Sequence, residues 1–339
     1  MNSMSTAAQS ATAFWITAPG HGELRQESLP PAGADQVSVE TLFSGVSRGT
    51  EALVFNGQVP ESEHERMRAP FQSGDFPGPV KYGYSSVGRV TTGPELLQGQ
   101  TVFCLYPHQD RYLVPASAVL PLPPGLDPER AVLAANMETA LNACWDAGIA
   151  PGDRVTVIGA GVVGTSVAWL AGGIPGTRTT LIDIEPKRAG LAEALGLAFT
   201  TPDRAQGDQD VVIHASASEA GLALALEIAG FEARVVEMSW FGSDRPRLAL
   251  GRAFHSRRLR LLASQVGHLP AGHRARWTHR RRLGKALELL LDPRLDALIS
   301  GQSDFEELPE VMPVLAGGSG EVLCHRIRYR PSQPQRSDN

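Results

Sequence analysis

From Phe14 to about Tyr112, apolar and polar residues alternate in short runs (QVSVETLF, SSVGRV, TVFCLY) broken by Gly and Pro. A period of two predicts a mainly β region with long loops and few helices. Around Pro128 the texture changes, and ERAVLAANMETALNACWDAG repeats its apolar residues at helical spacing. From Asp153 strands and helices alternate. Strands are predicted at RVTVIG (154–159), TTLID (179–183), DVVIH (210–214), ARVVEM (233–238) and LRLLAS (259–264). Near-continuous apolar runs of this kind are expected of a parallel sheet covered on both faces. After about Trp277 come KALELLLDPRLDALISG, a helical LPEVMPVLAGG and a last strand in EVLCHRIRY. The class is α/β, with no internal repeat.

Composition narrows the picture. The 339 residues suffice for two ordinary domains, and 42% hydrophobic with 20% charged is a globular balance. A net charge of -5 argues against a general nucleic-acid or anionic-membrane surface. Three scattered cysteines, Cys104, Cys144 and Cys324, form no CxxC pair, which fits a reducing compartment. The start MNSMSTAAQSAT lacks the pattern of a signal peptide, and no apolar run approaches a membrane span of about 20 residues. A cytoplasmic protein handling a small molecule is expected, with neither nucleic acid nor membrane as partner. Residues 1–12 and the tail PSQPQRSDN are expected to be disordered.

The strongest chemical signal is RVTVIGAGVVGTSVAWLA, where a strand leads into Gly159, Ala160, Gly161, Val162, Val163 and Gly164 and then into a helix. Asp183 closes the next strand, 19 residues after Gly164. The first glycine permits a tight turn, the second lets backbone approach a pyrophosphate, and the third packs helix on strand. The helix N-terminus offers free N–H groups to the anion. Asp183 suits the ribose hydroxyls of NAD and disfavours the 2′-phosphate of NADP. Lys187 and Arg188 stand close enough to blunt that preference, or simply form the solvated face of the following helix.

A β-rich first part, a Rossmann unit starting near the middle and a C-terminal return segment together resemble the medium-chain dehydrogenase/reductase superfamily. The landmarks are SGVSRGTE (44–51), YGYSSVGRV (82–90), ANMETALNA (135–143), IGAGVVG, VVIHAS and VVEMSW. The resemblance implies a GroES-like, mainly β catalytic domain over 1–135 and a doubly wound Rossmann domain over 136–278. Residues 279–339 would then return to complete the first domain. Zinc-dependent members carry a cysteine in SGxC, a GHE motif and a third Cys or Glu at the helix leading to the Rossmann unit. Here those places hold Ser47, then Gly83, Tyr84 and Ser85, then Ala135 and Asn136. A catalytic zinc needs three thiolate, imidazole or carboxylate ligands, so no zinc is expected. The structural zinc lobe, with its four close cysteines, is missing too. SRGTE and the GY pair look closest to the bacteriochlorophyllide hydroxyethyl dehydrogenase branch, which implies a secondary alcohol on a large, ring-bearing substrate. The resemblance also implies a homodimer.

Without a metal, another group must hydrogen-bond the reacting oxygen. Tyr84, at the place of the family's ligand histidine, is the first candidate, or it fills the volume of a lost metal. Ser47 could relay a proton or satisfy backbone. His108, in YPHQDRY, could be a general base or a surface-loop histidine. By the resemblance, Arg48 faces the cofactor pyrophosphate, unless it pairs with Glu51. Thr139, His214, Ala215 and Ser216 border the nicotinamide by the same analogy, unless they cap buried backbone. Glu61, Glu63, His64 and Glu65 look like a metal patch but read better as a solvated loop. Arg274, Arg276, Arg280, Arg281 and Arg282 read as an exposed helix face. The expected activity is NAD-dependent interconversion of an alcohol and a carbonyl. Reduction of an activated double bond, as in enoyl and quinone reductases, and a non-catalytic dinucleotide sensor are the rivals.

Overall fold

The computed structural model describes residues 9–318 and 322–330. The chain divides into two compact units: unit 1 holds the chain up to Val132 and again from Ser300 on, and unit 2 holds Leu133–Ile299.

Unit 1 opens with β1 (Gln9–Ala18), β2 (His21–Leu29) and β3 (Gln36–Val46), followed by helix α1 (Arg48–Phe55). Short strands β4 (Ser73–Gly74) and β5 (Val80–Lys81) lead to β6 (Ser86–Thr92), β7 (Thr101–Cys104), β8 (Arg111–Pro115) and β9 (Leu120–Pro121). Helix α2 (Pro128–Ala131) closes this part. Period-two alternation in β3 and its neighbours puts Val37, Val39, Val90, Val102 and Val114 into one core with Tyr112 and Cys104. Full burial of each such side chain contributes about 1.5–3 kcal/mol. Residues 9–12, expected to be disordered, are strand: Ala11 and Ala13 are buried, and β1 pairs antiparallel with β2 from Gln9 onward. Residues 1–8 and the tail 331–339 lie outside the described residues.

Unit 2 begins with α3 (Ala134–Ala147), which Gly148 ends in the left-handed conformation, φ 59°. There follow β10 (Arg154–Ile158), α4 (Val162–Gly172), β11 (Arg178–Ile182), α5 (Arg188–Ala194), β12 (Ala198–Thr200) and β13 (Gln209–His214). Then come α6 (Glu219–Ile228), β14 (Ala229–Glu237), α7 (Ala253–Ser256), β15 (Arg260–Ala263) and α8 (His279–Leu289). The sheet order is β12-β11-β10-β13-β14-β15, and every neighbouring pair is parallel. This is a doubly wound Rossmann sheet whose order reverses between β10 and β13, where such sheets bind ligands. Both faces are covered: Val155, Val157, Leu181 and Val211 pack on one side, Ile158, Ile182, Val212 and Val235 on the other. Strand β12 was not predicted, because three residues carry too little periodicity to register.

The return to unit 1 starts at residue 300, not at 279 as the resemblance implied. Helix α8 stays with unit 2 because it packs on α3 and buries Arg282 against Glu138, 3.0 Å from Nε to Oε1. Arg282 is therefore core rather than exposed helix face, unlike Arg274, Arg276, Arg280 and Arg281. The return segment supplies β16 (Ile299–Asp304), α9 (Leu308–Ala316) and β17 (Cys324–Arg328). It completes a sheet ordered β16-β17-β3-β6-β7-β9, with β8 also paired to β3; a second sheet runs β2-β1-β5-β4.

Candidate active site

In unit 2 the glycine loop follows β10 at the point of reversal. Gly159 has φ 109°, and a Cβ there would lie 2.8 Å from the carbonyl carbon of Ala215 and the nitrogen of Ser216. Gly164 touches the loop from the other side, since its Cβ would sit 2.0 Å from the Gly159 carbonyl oxygen. Gly161 has open space where its Cβ would be. The three glycines thus meet three separate demands: a turn, an open approach and a close helix packing. Gly161 is the N-cap of α4 and offers no side-chain acceptor to the first helical N–H groups, at Val162 and Val163. An anion can satisfy them.

Asp183 links the two βα loops. Its Oδ2 accepts from the Ala160 N–H at 2.6 Å and its Oδ1 from the Glu185 N–H at 2.9 Å. A carboxylate has about four lone-pair sites, so capacity remains for ribose hydroxyls. Arg188 starts α5 and is half-buried. At the end of β13, the Ala215 N–H donates to the Ile158 carbonyl at 2.8 Å, holding this loop behind the glycines. His214 is fully buried, and its Nδ1 and Nε2 are engaged by Glu237 and Ser216, both at 2.6 Å. Thr139 donates its hydroxyl to the Ala135 carbonyl at 2.9 Å, a bond within α3. The glycine loop, the uncapped start of α4 and Asp183 fit a bound dinucleotide; the Thr139 hydroxyl and the His214 ring are spent on bonds within unit 2.

In unit 1 the turn from β3 into α1 carries Ser47, Arg48 and Glu51. Glu51 is buried: Oε1 accepts from the Ser47 N–H at 2.8 Å and Oε2 lies 2.8 Å from His108 Nε2. His108 Nδ1 is 2.7 Å from the Ser44 hydroxyl, which is 3.0 Å from the Tyr329 hydroxyl. A carboxylate only accepts, so Nε2 carries the proton towards Glu51, and in the neutral ring Nδ1 accepts from Ser44. His108 is therefore not a surface-loop histidine: it is 2% exposed, with both ring nitrogens engaged. Physical necessity explains the burial, because the loop folds over Gly83, whose Cβ would meet His108 Cδ2 at 3.0 Å.

Tyr84 is partly buried, edge-on to Tyr82, with side-chain hydrogen bonds to Ser47 and Thr50. Burial raises its phenol well above the ordinary value, the Glu51 charge adds to the rise, and the Ser47 and Thr50 bonds oppose it. At neutral pH Tyr84 is thus a donor and not a base. Ser47 and Tyr84 are hydrogen-bonded to each other, while Ser85 donates to the Val132 carbonyl, and Ala135 and Asn136 are buried in α3. Among the described residues no three His, Cys, Asp or Glu side chains come together as a metal site. Hydroxyls and an amide do not fit a catalytic zinc. The Glu61–Glu65 stretch is a 3-10 turn and loop in which His64 Nε2 is 3.2 Å from the Val59 carbonyl.

Sequence reasoning missed Glu51 and Glu237 as site members. Glu237 closing the apolar run ARVV was an available signal and Glu51 in SRGTEALVF offered none; only the fold shows that each faces a histidine.

No family model matches the sequence. Among solved structures, L-idonate 5-dehydrogenase from Escherichia coli aligns at a TM-score of 0.78, covering 94% of this chain and 98% of its own, at 14% identity. A protein from Sinorhizobium meliloti described as a zinc-binding dehydrogenase, bound to NADP, aligns at 0.75 over 94% and 99%, at 19% identity. An alcohol dehydrogenase from E. coli in complex with NADH aligns at 0.74 over 94% and 99%, at 14% identity. This chain has the fold of these proteins, the GroES-like plus Rossmann architecture that the sequence landmarks led us to expect.

Proposed function

We propose that this chain is a zinc-independent oxidoreductase that interconverts an alcohol and a carbonyl with a nicotinamide dinucleotide, NAD(H) preferred over NADP(H). The observation that carries the reading is the glycine loop at the sheet reversal, with uncapped N–H groups on α4 and the Asp183 carboxylate bonded to the loop backbone. Gly159, Gly161 and Gly164 would shape the pyrophosphate site, and the N–H groups of Val162 and Val163 would bind it. Asp183 would accept from the ribose, with Arg188 near it. Arg48, Thr139 and the loop His214–Ser216 are carried over as cofactor contacts by the resemblance. The cofactor, when bound, supplies or accepts the hydride.

This chain's own part is on the oxygen side. A phenol held neutral by burial and by the Glu51 charge is suited to donate to a developing alkoxide, which assigns Tyr84 that role. Ser47 holds the Tyr84 hydroxyl and is the first group through which a proton could be replaced. His108 is better placed to support this turn through Glu51 than to act as a base. The SRGTE and GY motifs favour a secondary alcohol on a bulky, ring-bearing substrate.

Metal analysis of the purified protein together with NADH and NADPH fluorescence titrations tests the proposal. The expected result is substoichiometric zinc, tighter binding of NADH, and NAD-dependent oxidation of ring-bearing secondary alcohols that Tyr84→Phe reduces by about 10²-fold. Stoichiometric zinc bound at the Ser47 and Tyr84 positions would refute it. Turnover of conjugated enones but not of alcohols would move the assignment to a double-bond reductase.

A further inference from the structure

Among the described residues a buried histidine bridges a glutamate and a serine in two places. In unit 1 the set Glu51, His108 and Ser44 is sealed, with Ser44 1% exposed. In unit 2 the set Glu237, His214 and Ser216 is open: Ser216 is exposed, His214 is buried at 0% and Glu237 is 17% exposed. Only the second can meet a molecule from solution.

The open set has the parts of an activated nucleophile. Glu237 Oε2 lies 2.6 Å from His214 Nδ1, and His214 Nε2 lies 2.6 Å from Ser216 Oγ. Since a carboxylate only accepts, Nδ1 carries the proton and Nε2 is left to take one from the serine. Glu237 is itself held by the Ser239 N–H at 2.6 Å on Oε1, which fixes the carboxylate that fixes the ring. Ser216 also sits in a strand-to-helix turn: β13 ends at His214, Ala217 is held at φ 50°, and α6 starts at Glu219. The first turn of α6 reaches the nucleophile directly, because a Cβ on Gly221 would lie 2.4 Å from Ser216 Oγ and 2.7 Å from His214 Nε2. The N-terminus of that ten-residue helix thus lies against Ser216, with the Gly221 N–H donating to the Ser218 hydroxyl at 3.0 Å and Ser218 Oγ in turn 2.9 Å from Ser216 Oγ.

Beside this turn is a cavity of about 280 Å³ lined by Ala217, Glu219, Phe241, Asp244 and Arg245. Phe241 stacks alongside the His214 ring, centroids 6.1 Å apart. Two carboxylates and one guanidinium leave no excess of positive charge for an anionic substrate, and Phe241 offers an apolar wall.

We propose that Ser216, His214 and Glu237 form a second reaction centre that hydrolyses small, uncharged carboxylic esters. Ser216 Oγ attacks the carbonyl carbon while its proton passes to His214 Nε2. The ester C–O bond then breaks, and that proton leaves with the alcohol. Water attacks the acyl-serine, His214 takes the water proton, and release of the carboxylic acid returns the proton to Ser216. The balance needs no co-reactant beyond water, and because the dinucleotide of the proposed function would lie on the same His214–Ser216 loop, the centre acts when that loop carries no dinucleotide.

The test uses the full-length protein with p-nitrophenyl acetate as ester and diisopropyl fluorophosphate as active-site label, with no dinucleotide present. The expected result is a single phosphoryl adduct mapped to Ser216, and ester hydrolysis that Ser216→Ala reduces by about 10²-fold or more. Gly221→Ala keeps all three side chains but puts a methyl group between them, so it should suppress both signals with the far-ultraviolet circular dichroism unchanged. Ser216 is exposed, so Ser216→Ala decides the matter if Gly221→Ala does not fold. Hydrolysis by Ser216→Ala at the parent rate, absence of the adduct from Ser216, or an adduct without acyl turnover would each overturn the proposal.

Discussion

Replacing Glu51 by Ala tests whether the buried Glu51–His108 pair organises the Tyr84 turn. The carboxylate satisfies two buried donors, the Ser47 N–H and the His108 Nε2–H, each at 2.8 Å. Truncation leaves both without an acceptor. An orphaned buried donor costs about 1–3 kcal/mol, so two cost about 2–6 kcal/mol. A loss near 4 kcal/mol is expected. With a urea slope of about 3 kcal/mol per M, the midpoint of unit 1 should fall by about 1.3 M. Glu51→Gln is the control. Its oxygen can still accept from Ser47, and its amide can donate to Nε2 if the His108 tautomer reverses and Nδ1–H donates to Ser44. The Ser44 hydroxyl would then donate to the Tyr329 oxygen, and the Tyr329 proton loses its acceptor, a cost of about 1 kcal/mol. Urea unfolding followed by fluorescence and circular dichroism measures both variants. Equal midpoints for Glu51→Ala and Glu51→Gln would show that the hydrogen bonds are not what the carboxylate contributes, and the positioning argument would fail.

Asp183→Asn keeps an acceptor for the Ala160 N–H but removes the charge opposing a 2′-phosphate, so the NADH preference over NADPH should shrink by about tenfold, read by fluorescence titration. All three cysteines are buried, and burial pushes their thiols up to about 12. The native protein should therefore resist a thiol reagent such as DTNB at pH 8, and three equivalents should react once it is unfolded. Burial raises the Glu138 carboxyl above 4.5, with Arg282 opposing the rise. A raised folded value means that this group gains stability as pH falls through it towards 4.5. Glu138→Gln removes the gain, so its urea midpoint should drop more steeply than the parent's on acidification from pH 7 to 4.5.

The Rossmann strands and the glycine loop were legible because each is local. Continuous apolar runs such as RVTVIG and DVVIH, and three glycines at fixed spacing, state their requirements within about ten residues. Unit 1 was legible only as texture. Its helix α1 hides in SRGTEALVF, whose apolar residues cluster at one end and show no helical repeat over so few turns. The extent of unit 2 was misjudged because the reason α8 belongs there is a bond between Arg282 and Glu138, 144 residues apart. The same holds for His108: nothing in YPHQDRY says that a glutamate 57 residues earlier will face it. Charged residues in the core are hard to read from one sequence, since each is buried only by virtue of a distant partner.

Strand β17 returns beside β3, with His325 opposite Val46 and Arg328 opposite Phe43. This bears on the order in which the molecule assembles during synthesis. Residues 133–299 are contiguous and can collapse as soon as they clear the ribosome. Unit 1 cannot, because one edge of β3 waits for a partner made about 280 residues later, and the Ser44 to Tyr329 bond spans 285. Until then that edge is an open template for pairing with other chains. Slow translation over residues 300–330 should accordingly raise the fraction of nascent chains captured by chaperones or lost to aggregation, while leaving the middle of the chain protease-resistant.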